Sequence, residues 1–162
     1  MNCTNCGAAM KPIVDRHYLY CAHCSTFHFP GELAESVDRV TPLGDASPAE
    51  CPVCNLRLAS GAVERRPVVY CEKCRGLLVS CADFAYIVKT RRARRSGVDG
   101  EVTPLNREEL ERVVNCPHCQ RRMDVHPYCG PGAVVIDTCS HCRVVWLDHG
   151  EIGAIENAPG RR

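Results

Sequence analysis

Short apolar runs punctuated by turn residues dominate this sequence. Met10 to Val14 forms one β-like run, Asp15-Arg16 reads as a turn, and His17 to Tyr20 returns. A turn near Ser60-Gly61 precedes the returning run Pro67-Val68-Val69-Tyr70. The loop Tyr128-Cys129-Gly130-Pro131-Gly132 likewise precedes Ala133-Val134-Val135-Ile136. Downstream of each returning run the apolar spacing becomes helical: Leu33, Val37 and Val40, then Phe84, Ile87 and Val88, then Ile152 and Ile155. Ser80-x-x-Asp83 and Asp148-x-x-Glu151 read as capping boxes for two of these helices. A further helix is expected from Asn106, with Glu109 three residues on and Leu105 stapled to Leu110. The stripes are read as packing faces and not as partner sites.

The cysteines give this pattern a framework. Cys-x-x-Cys pairs fall at Cys3/Cys6, Cys21/Cys24, Cys51/Cys54, Cys71/Cys74, Cys116/Cys119 and Cys139/Cys142. Successive couples enclose 14, 16 and 19 residues, whereas the gaps between couples are 26 and 41 residues. The longer gaps hold Pro- and Gly-marked stretches, Thr41 to Pro48 and Ser96 to Pro104, which read as linkers. Neighbouring knuckles are therefore paired. The expected domains are ribbon one at 1–40, a linker at 41–49, ribbon two at 50–96, a linker at 97–104, and a short helix with ribbon three at 105–158. The predicted fold class is small, metal-stabilised and mainly β. It consists of three tandem ribbons, each a knuckle, a β-hairpin, a second knuckle and a short α-helix. With aromatic content at 6%, one large shared core is not expected. Units of about 40 residues bury too little to fold unaided and need a staple.

The staple is read as metal, not disulfide. The opening Met1-Asn2-Cys3 has no apolar signal core, and no run approaches the length of a membrane span, so a reducing cytoplasm is the expected compartment. Four thiolates in a tetrahedron suit Zn²⁺, and a two-residue spacer turns both sulfurs of a knuckle toward one ion. The residue after a knuckle must tolerate positive φ, which Gly7 and Asn55 do easily and Gln120 less so. The predicted ligands are Cys3, Cys6, Cys21 and Cys24; Cys51, Cys54, Cys71 and Cys74; and Cys116, Cys119, Cys139 and Cys142. Iron in a Cys₄ site is the chemical alternative, and a cross-braced pairing of alternate knuckles the topological one. A thioredoxin-like role for one pair fails, since no βαβ pattern surrounds any of them. Sites whose four positions are all filled by protein are structural, so no enzymatic activity is expected.

The third unit reads Cys116-Pro117-His118-Cys119 and then Cys139-Ser140-His141-Cys142-Arg143-Val144-Val145-Trp146-Leu147-Asp148-His149-Gly150-Glu151-Ile152. This resembles the transcription-factor-IIB-type zinc ribbon family, whose pattern is Cys-Pro-x-Cys, a hairpin, then Cys-x-x-Cys and Trp-Leu-Asp-x-Gly-Glu-Leu. Unit two departs at Leu78-Val79-Ser80-Cys81-Ala82-Asp83-Phe84, and unit one keeps only Gly31-Glu32-Leu33 of the tail. The resemblance implies zinc bound by the twelve knuckle cysteines and a transcription-related setting, with Trp146 as a packing residue and Asp148 as a helix cap.

Charge separates the units. Residues 51–96 hold 10 Lys and Arg against 3 Asp and Glu, while 1–40 and 105–162 are each slightly acidic. Each Zn(Cys)₄ centre is formally −2, so three of them lower the net charge from +1 to −5. The basic residues concentrate in Lys89, Arg91, Arg92, Arg94 and Arg95, with Arg65 and Arg66 on the hairpin. These are the candidate nucleic-acid contacts, since each phosphate-bound cation releases a counterion. The preferred reading makes them a helix end suited to its dipole, or a patch docked on the acidic units. Function is accordingly read as a non-enzymatic interaction module for a protein partner, with nucleic-acid binding through ribbon two as the alternative. No membrane or small-molecule substrate is expected. Cys81 and Cys129 belong to no knuckle. Cys81 is read as a small buried residue in preference to a reactive thiol, and Cys129 as a spare thiol beside His126. The seven histidines show no paired ligand spacing, and His23, His118 and His141 should point away from the metals.

Overall fold

The computed structural model describes residues 1–14, 18–98, 100–101, 104–130 and 132–160. The turn expected at Asp15-Arg16, and Asp99, Val102 and Thr103 of the second linker, lie outside the described residues. An N-terminal antiparallel sheet consists of β1 (Lys11–Ile13), β2 (Tyr18–Cys21) and β3 (Thr26–His28), in that order. The rest of the chain builds β4 (Thr41–Glu50), β5 (Arg57–Val63), β6 (Arg66–Tyr70), β7 (Leu77–Ser80), α1 (Cys81–Arg94), α2 (Arg107–Leu110), β8 (Asp124–Pro127), β9 (Val135–Cys139), β10 (Val144–Leu147) and α3 (Glu151–Asn157). Its seven strands form one sheet, in the order β4-β5-β6-β7-β10-β9-β8. The chain is thus mainly β with few helices, as expected.

The second and third units are not beads on a string. β7 and β10 pair antiparallel at the centre of the sheet, with Leu78 opposite Trp146, Val79 opposite Val145 and Leu77 opposite Leu147. Leu78 and Trp146 occupy the same place in their units, four residues after Cys74 and Cys142. A local twofold therefore passes between them, relating β5-β6-β7-α1 to β8-β9-β10-α3. Apart from Ser80, which ends β7 and caps α1, both central strands are apolar and buried, as strands covered on both faces must be. Alternation then divides them. Leu77, Val79, Val145 and Leu147 face a core with Phe84, Ile87 and Val88 of α1 and Ile152 and Ile155 of α3, whereas Leu78, Val144 and Trp146 join a core built around cysteines. A large shared core thus exists despite the low aromatic content. Aliphatic residues fill it, and it is pooled between units that could not each support one.

Several sequence expectations are corrected. Residues 41–49 are not a linker but most of β4, the edge strand. Pro42 and Pro48 fit there because an edge strand has no second neighbour to which it must donate, and register shifts interrupt its pairing with β5. The hairpin of unit two does not turn at Ser60-Gly61, which lies within β5. A Cβ on Gly61 would stand 2.9 Å from Val40 Cγ1 and 3.0 Å from Tyr70, so this glycine permits close approach, not reversal. The turn is Glu64-Arg65, both with positive φ (49° and 64°), the geometry of a type I′ hairpin. Among the described residues unit one has no α-helix. Residues 33–38 form turns, stabilised by Ser36 Oγ donating to the Leu33 carbonyl, and Leu33 and Val40 pack into the shared core without helical periodicity.

Helix starts follow their signals with one exception. Ser80 Oγ accepts from Asp83 N at 3.0 Å, as its capping box requires. Asn106 caps α2 by accepting from Glu108 N at 3.0 Å, one residue short of the expected Glu109. At α3 the cap position belongs to Gly150 (φ 90°). Asp148 takes part through its backbone, its N–H donating to Glu151 Oε2 at 2.8 Å. Its carboxylate serves elsewhere.

Candidate metal centres

Each knuckle is a tight turn in which local hydrogen bonds and one unusual backbone angle place two sulfurs side by side. The N–H of the residue following the second cysteine donates to the carbonyl of the first: Gly7 to Cys3, Ser25 to Cys21, Asn55 to Cys51, Arg75 to Cys71 and Gln120 to Cys116, at 2.8–2.9 Å. That residue has positive φ in all six knuckles, at 76° for Gly7, 54° for Ser25, 56° for Asn55, Arg75 and Arg143, and 61° for Gln120. The sequence pointed to this only at the leading knuckles. Ser25, Arg75 and Arg143 carry the same strain without being residue types that announce it.

Neighbouring knuckles close on one another in three four-cysteine groups: Cys3, Cys6, Cys21 and Cys24; Cys51, Cys54, Cys71 and Cys74; Cys116, Cys119, Cys139 and Cys142. Within each group all four sulfurs lie within 4.8 Å of one another. Cross-bracing is thereby eliminated. The nearest sulfurs are 3.5 Å apart for Cys3 and Cys24, 3.6 Å for Cys6 and Cys21, and 3.7 Å for both Cys51–Cys74 and Cys119–Cys139. A tetrahedral ion with sulfur at about 2.3 Å sets sulfur–sulfur edges of about 3.8 Å, so each group fits one metal ion. Backbone N–H groups of Cys54 and Cys142 donate to Cys51 Sγ and Cys139 Sγ at 3.3 and 3.4 Å, supporting the sulfurs from outside.

Four thiols this close cannot all ionise without a cation among them, and their acidities divide accordingly. In the second group hydrogen bonds from Cys51 and then Cys74 pull Cys71 down to about 2. The bond to Cys71 pushes Cys51 up to about 12, and Cys51 in turn pushes Cys74 upward. In the first group the Thr26 hydroxyl, 3.1 Å away, and then Asn5 hold Cys24 at about 5. In the third the Arg121 backbone N–H lowers Cys119 to about 7, while burial raises Cys142 to about 12. A divalent ion replaces such shared protons with a single counter-charge.

The candidate nucleic-acid contacts fare differently. Arg91, Arg92 and Arg95 are only 2%, 5% and 8% exposed. Arg91 Nη2 donates to the Asp38 carbonyl at 2.5 Å and its Nε to Glu64 Oε1 at 3.2 Å. Arg92 Nη1 donates to the carbonyls of Ile155 (2.7 Å) and Ala158 (2.9 Å), and Arg95 Nη1 also reaches Ala158, at 2.9 Å. These three cannot reach a phosphate. They bind the carbonyls left open at the end of α3 and the segment leaving ribbon one. Lys89 is exposed, and Arg94 is exposed while paired with Glu64 at 2.9 Å.

Two functional clusters left no mark in the sequence. Asp38, 1% exposed, accepts from Gly150 N at 2.6 Å and Gly153 N at 3.4 Å, and His149 Nδ1 lies 3.2 Å from its Oδ2. It thus supplies the anion at the start of α3 from another unit. His149 is also buried, edge-on to Phe29 at 4.8 Å, with Tyr18 at 5.9 Å. The second cluster is Arg112, whose guanidinium bridges Asp137 and Asp148, while Trp146 Nε1 donates to Asp148 Oδ1 at 3.2 Å. Burial opposes the Arg112 charge, but Asp148 and Asp137 more than offset it and hold the guanidinium above its ordinary value. Burial likewise raises Asp137 despite Arg112. Spacing could not reveal either cluster, since Arg112 lies 25 residues from Asp137 and Asp38 lies 115 from Gly153.

Of the spare thiols, Cys81 is exposed at the first position of α1, contrary to the expected burial, and Cys129 is exposed in its loop. His23, His118 and His141 are exposed, and no histidine joins a sulfur group among the described residues. No helix of the described residues is long and apolar enough to cross a membrane. No protein-family model, curated protein or solved structure matches this chain.

Proposed function

We propose that the chain is a zinc protein of structural type, a non-enzymatic module that engages a protein partner. One observation carries the reading: each of the three metal groups consists of four protein sulfurs, which leaves no position for water or substrate. Tetrahedral all-thiolate ligation favours zinc over hard cations, and zinc over iron as the commoner closed site. The Cys116-to-Ile152 pattern supports membership of the transcription-factor-IIB-type zinc ribbon family and, with it, a transcription-related and cytoplasmic setting.

A protein partner is favoured over nucleic acid for two reasons. Three of the five clustered cations are spent inside the fold, and three loaded centres leave the chain net acidic. Apolar residues are meanwhile presented on the second ribbon, where Val53 and Leu56 are 44% and 47% exposed beside the leading knuckle. Elemental analysis should find three zinc ions per chain. Fluorescence anisotropy at low salt should show no binding to duplex or single-stranded oligonucleotides. Nuclease-treated affinity capture should recover a protein that the Val53→Ser/Leu56→Ser variant fails to hold. Oligonucleotide binding lost on replacing Lys89 and Arg94 would instead favour the nucleic-acid reading.

A further inference from the structure

The three sulfur groups differ in how the fold shelters them. Cys51, Cys71 and Cys74 of the second group and Cys116 and Cys139 of the third are buried in one core that also contains Leu58, Leu78, Met123, Val144 and Trp146. In the first group Cys3 and Cys21 are buried in a small cluster with Met10, against which the half-buried Ala8, Leu19 and Cys24 pack. Its three strands form a sheet of their own. Cys6 alone among the twelve ligand cysteines is exposed, and its sulfur lies 3.6 Å from that of Cys21.

From this we infer that the first group is an oxidation-sensitive site, at which a hydroperoxide converts Cys6 and Cys21 to a disulfide and ejects the metal. The inference rests on the zinc reading above. Zinc-bound sulfur is thiolate, the form that attacks peroxide. The Cys6 thiolate attacks the peroxide's terminal oxygen and breaks the O–O bond. This forms a sulfenic acid at Cys6 and releases hydroxide or alkoxide, which takes a proton from water. The Cys21 thiolate then attacks the Cys6 sulfur and displaces the sulfenic oxygen as hydroxide. Two thiolates lose two electrons in all, and the peroxide O–O bond gains them. Cys3 and Cys24 remain, too few to hold the ion, and it leaves. No cysteine of the second and third groups is as open as Cys6: Cys54, Cys119 and Cys142 are half-buried, and the other five lie in a packed core.

The test uses the full chain loaded with zinc, in a Cys81→Ser/Cys129→Ser background that removes the two exposed thiols bound to no metal. Metal content is measured first, then hydrogen peroxide is added with a chromophoric zinc chelator present. One equivalent of zinc should appear at least about tenfold faster than the other two. Mass mapping after differential alkylation should find Cys6 and Cys21 joined, with the Cys51-to-Cys74 and Cys116-to-Cys142 sets still reduced. Trp146 fluorescence should change less in the first phase than in the later ones, since the first unit meets its core through Phe27 while the cysteines packed in that core stay reduced. A starting content other than three zinc ions would overturn the zinc reading itself. Three at the start, followed by release of all three in one phase or by loss from either other group first, would overturn only this inference. So would a first phase in which Cys6 stays reduced.

Discussion

At the scale of single residues, the consequential groups are those that bind across sequence distance. Arg112 faces two carboxylates, one of them, Asp137, almost wholly buried. Arg112→Ala would leave Asp137 without its counter-charge and Asp148 without its anchor. Removing one partner of such a pair costs far more than the pair contributes net. A loss of about 3 kcal/mol is expected, measured by guanidinium unfolding of the metal-loaded protein followed through Trp146. Little of this was legible beforehand. The ligand cysteines could be read from spacing alone because a knuckle is local: its turn, its hydrogen bond and its left-handed residue lie within five positions. Asp38, Arg91, Arg112 and His149 act on partners brought near only by the finished fold. For the same reason Arg91, Arg92 and Arg95 resembled a phosphate-binding run. Sequence shows a cluster of cations but not the carbonyls they satisfy, that of Asp38 for Arg91 and those at the end of α3 for Arg92 and Arg95.

Among the elements, β4 and the hairpin of unit two show where local signals mislead. Pro42, Gly44 and Pro48 are breakers in a central strand but are tolerated at an edge, and whether a strand lies at an edge is settled by the rest of the sheet. Gly61 looked like a turn residue because glycine serves both reversal and close packing, and only Val40 and Tyr70 decide between them. The real turn falls on Glu64 and Arg65, neither typical of positive φ. Glu64 earns its place by pairing with Arg91 and Arg94. Among the described residues no comparable pairing offsets the strain at Arg65. Arg65→Gly should therefore raise stability by about 0.5 kcal/mol, the left-handed penalty removed exceeding the entropy glycine adds to the unfolded chain. Matched thermal melts of the metal-loaded proteins would check this, and a lower midpoint would count against the type I′ assignment.

Across the whole molecule, three four-cysteine units are joined in two different ways. Ribbon one docks through Phe29 and Tyr18 against His149, through the Gly31 carbonyl accepting from Arg75, and through its exit segment. Asp38 binds the start of α3, Arg39 pairs with Glu156 at 2.7 Å, and Val37 sits so close to Gly153 that a Cβ there would lie 2.1 Å from Val37 Cγ2. Gly153→Ala should thus destabilise the protein by about 1–3 kcal/mol through overpacking. Val37→Ala should recover much of that loss in the double variant, a coupling that a purely local helix effect would not give. Ribbons two and three are instead continuous, sharing the β7–β10 pairing and the core around Trp146. On the zinc reading, loss of either metal frees sulfurs packed in the core that the other group shares, so the second vacancy follows the first at little added cost, which is the condition for cooperative loss. Native mass spectrometry during chelator titration of a Cys3→Ser/Cys6→Ser variant, which lacks the first four-cysteine site, should accordingly show chains with two and no zinc ions. The one-zinc species should stay below about a tenth of the total. A substantial one-zinc population would mean that the central strands hold together without both metals, and that the shared sheet, not the ions, organises the second and third units.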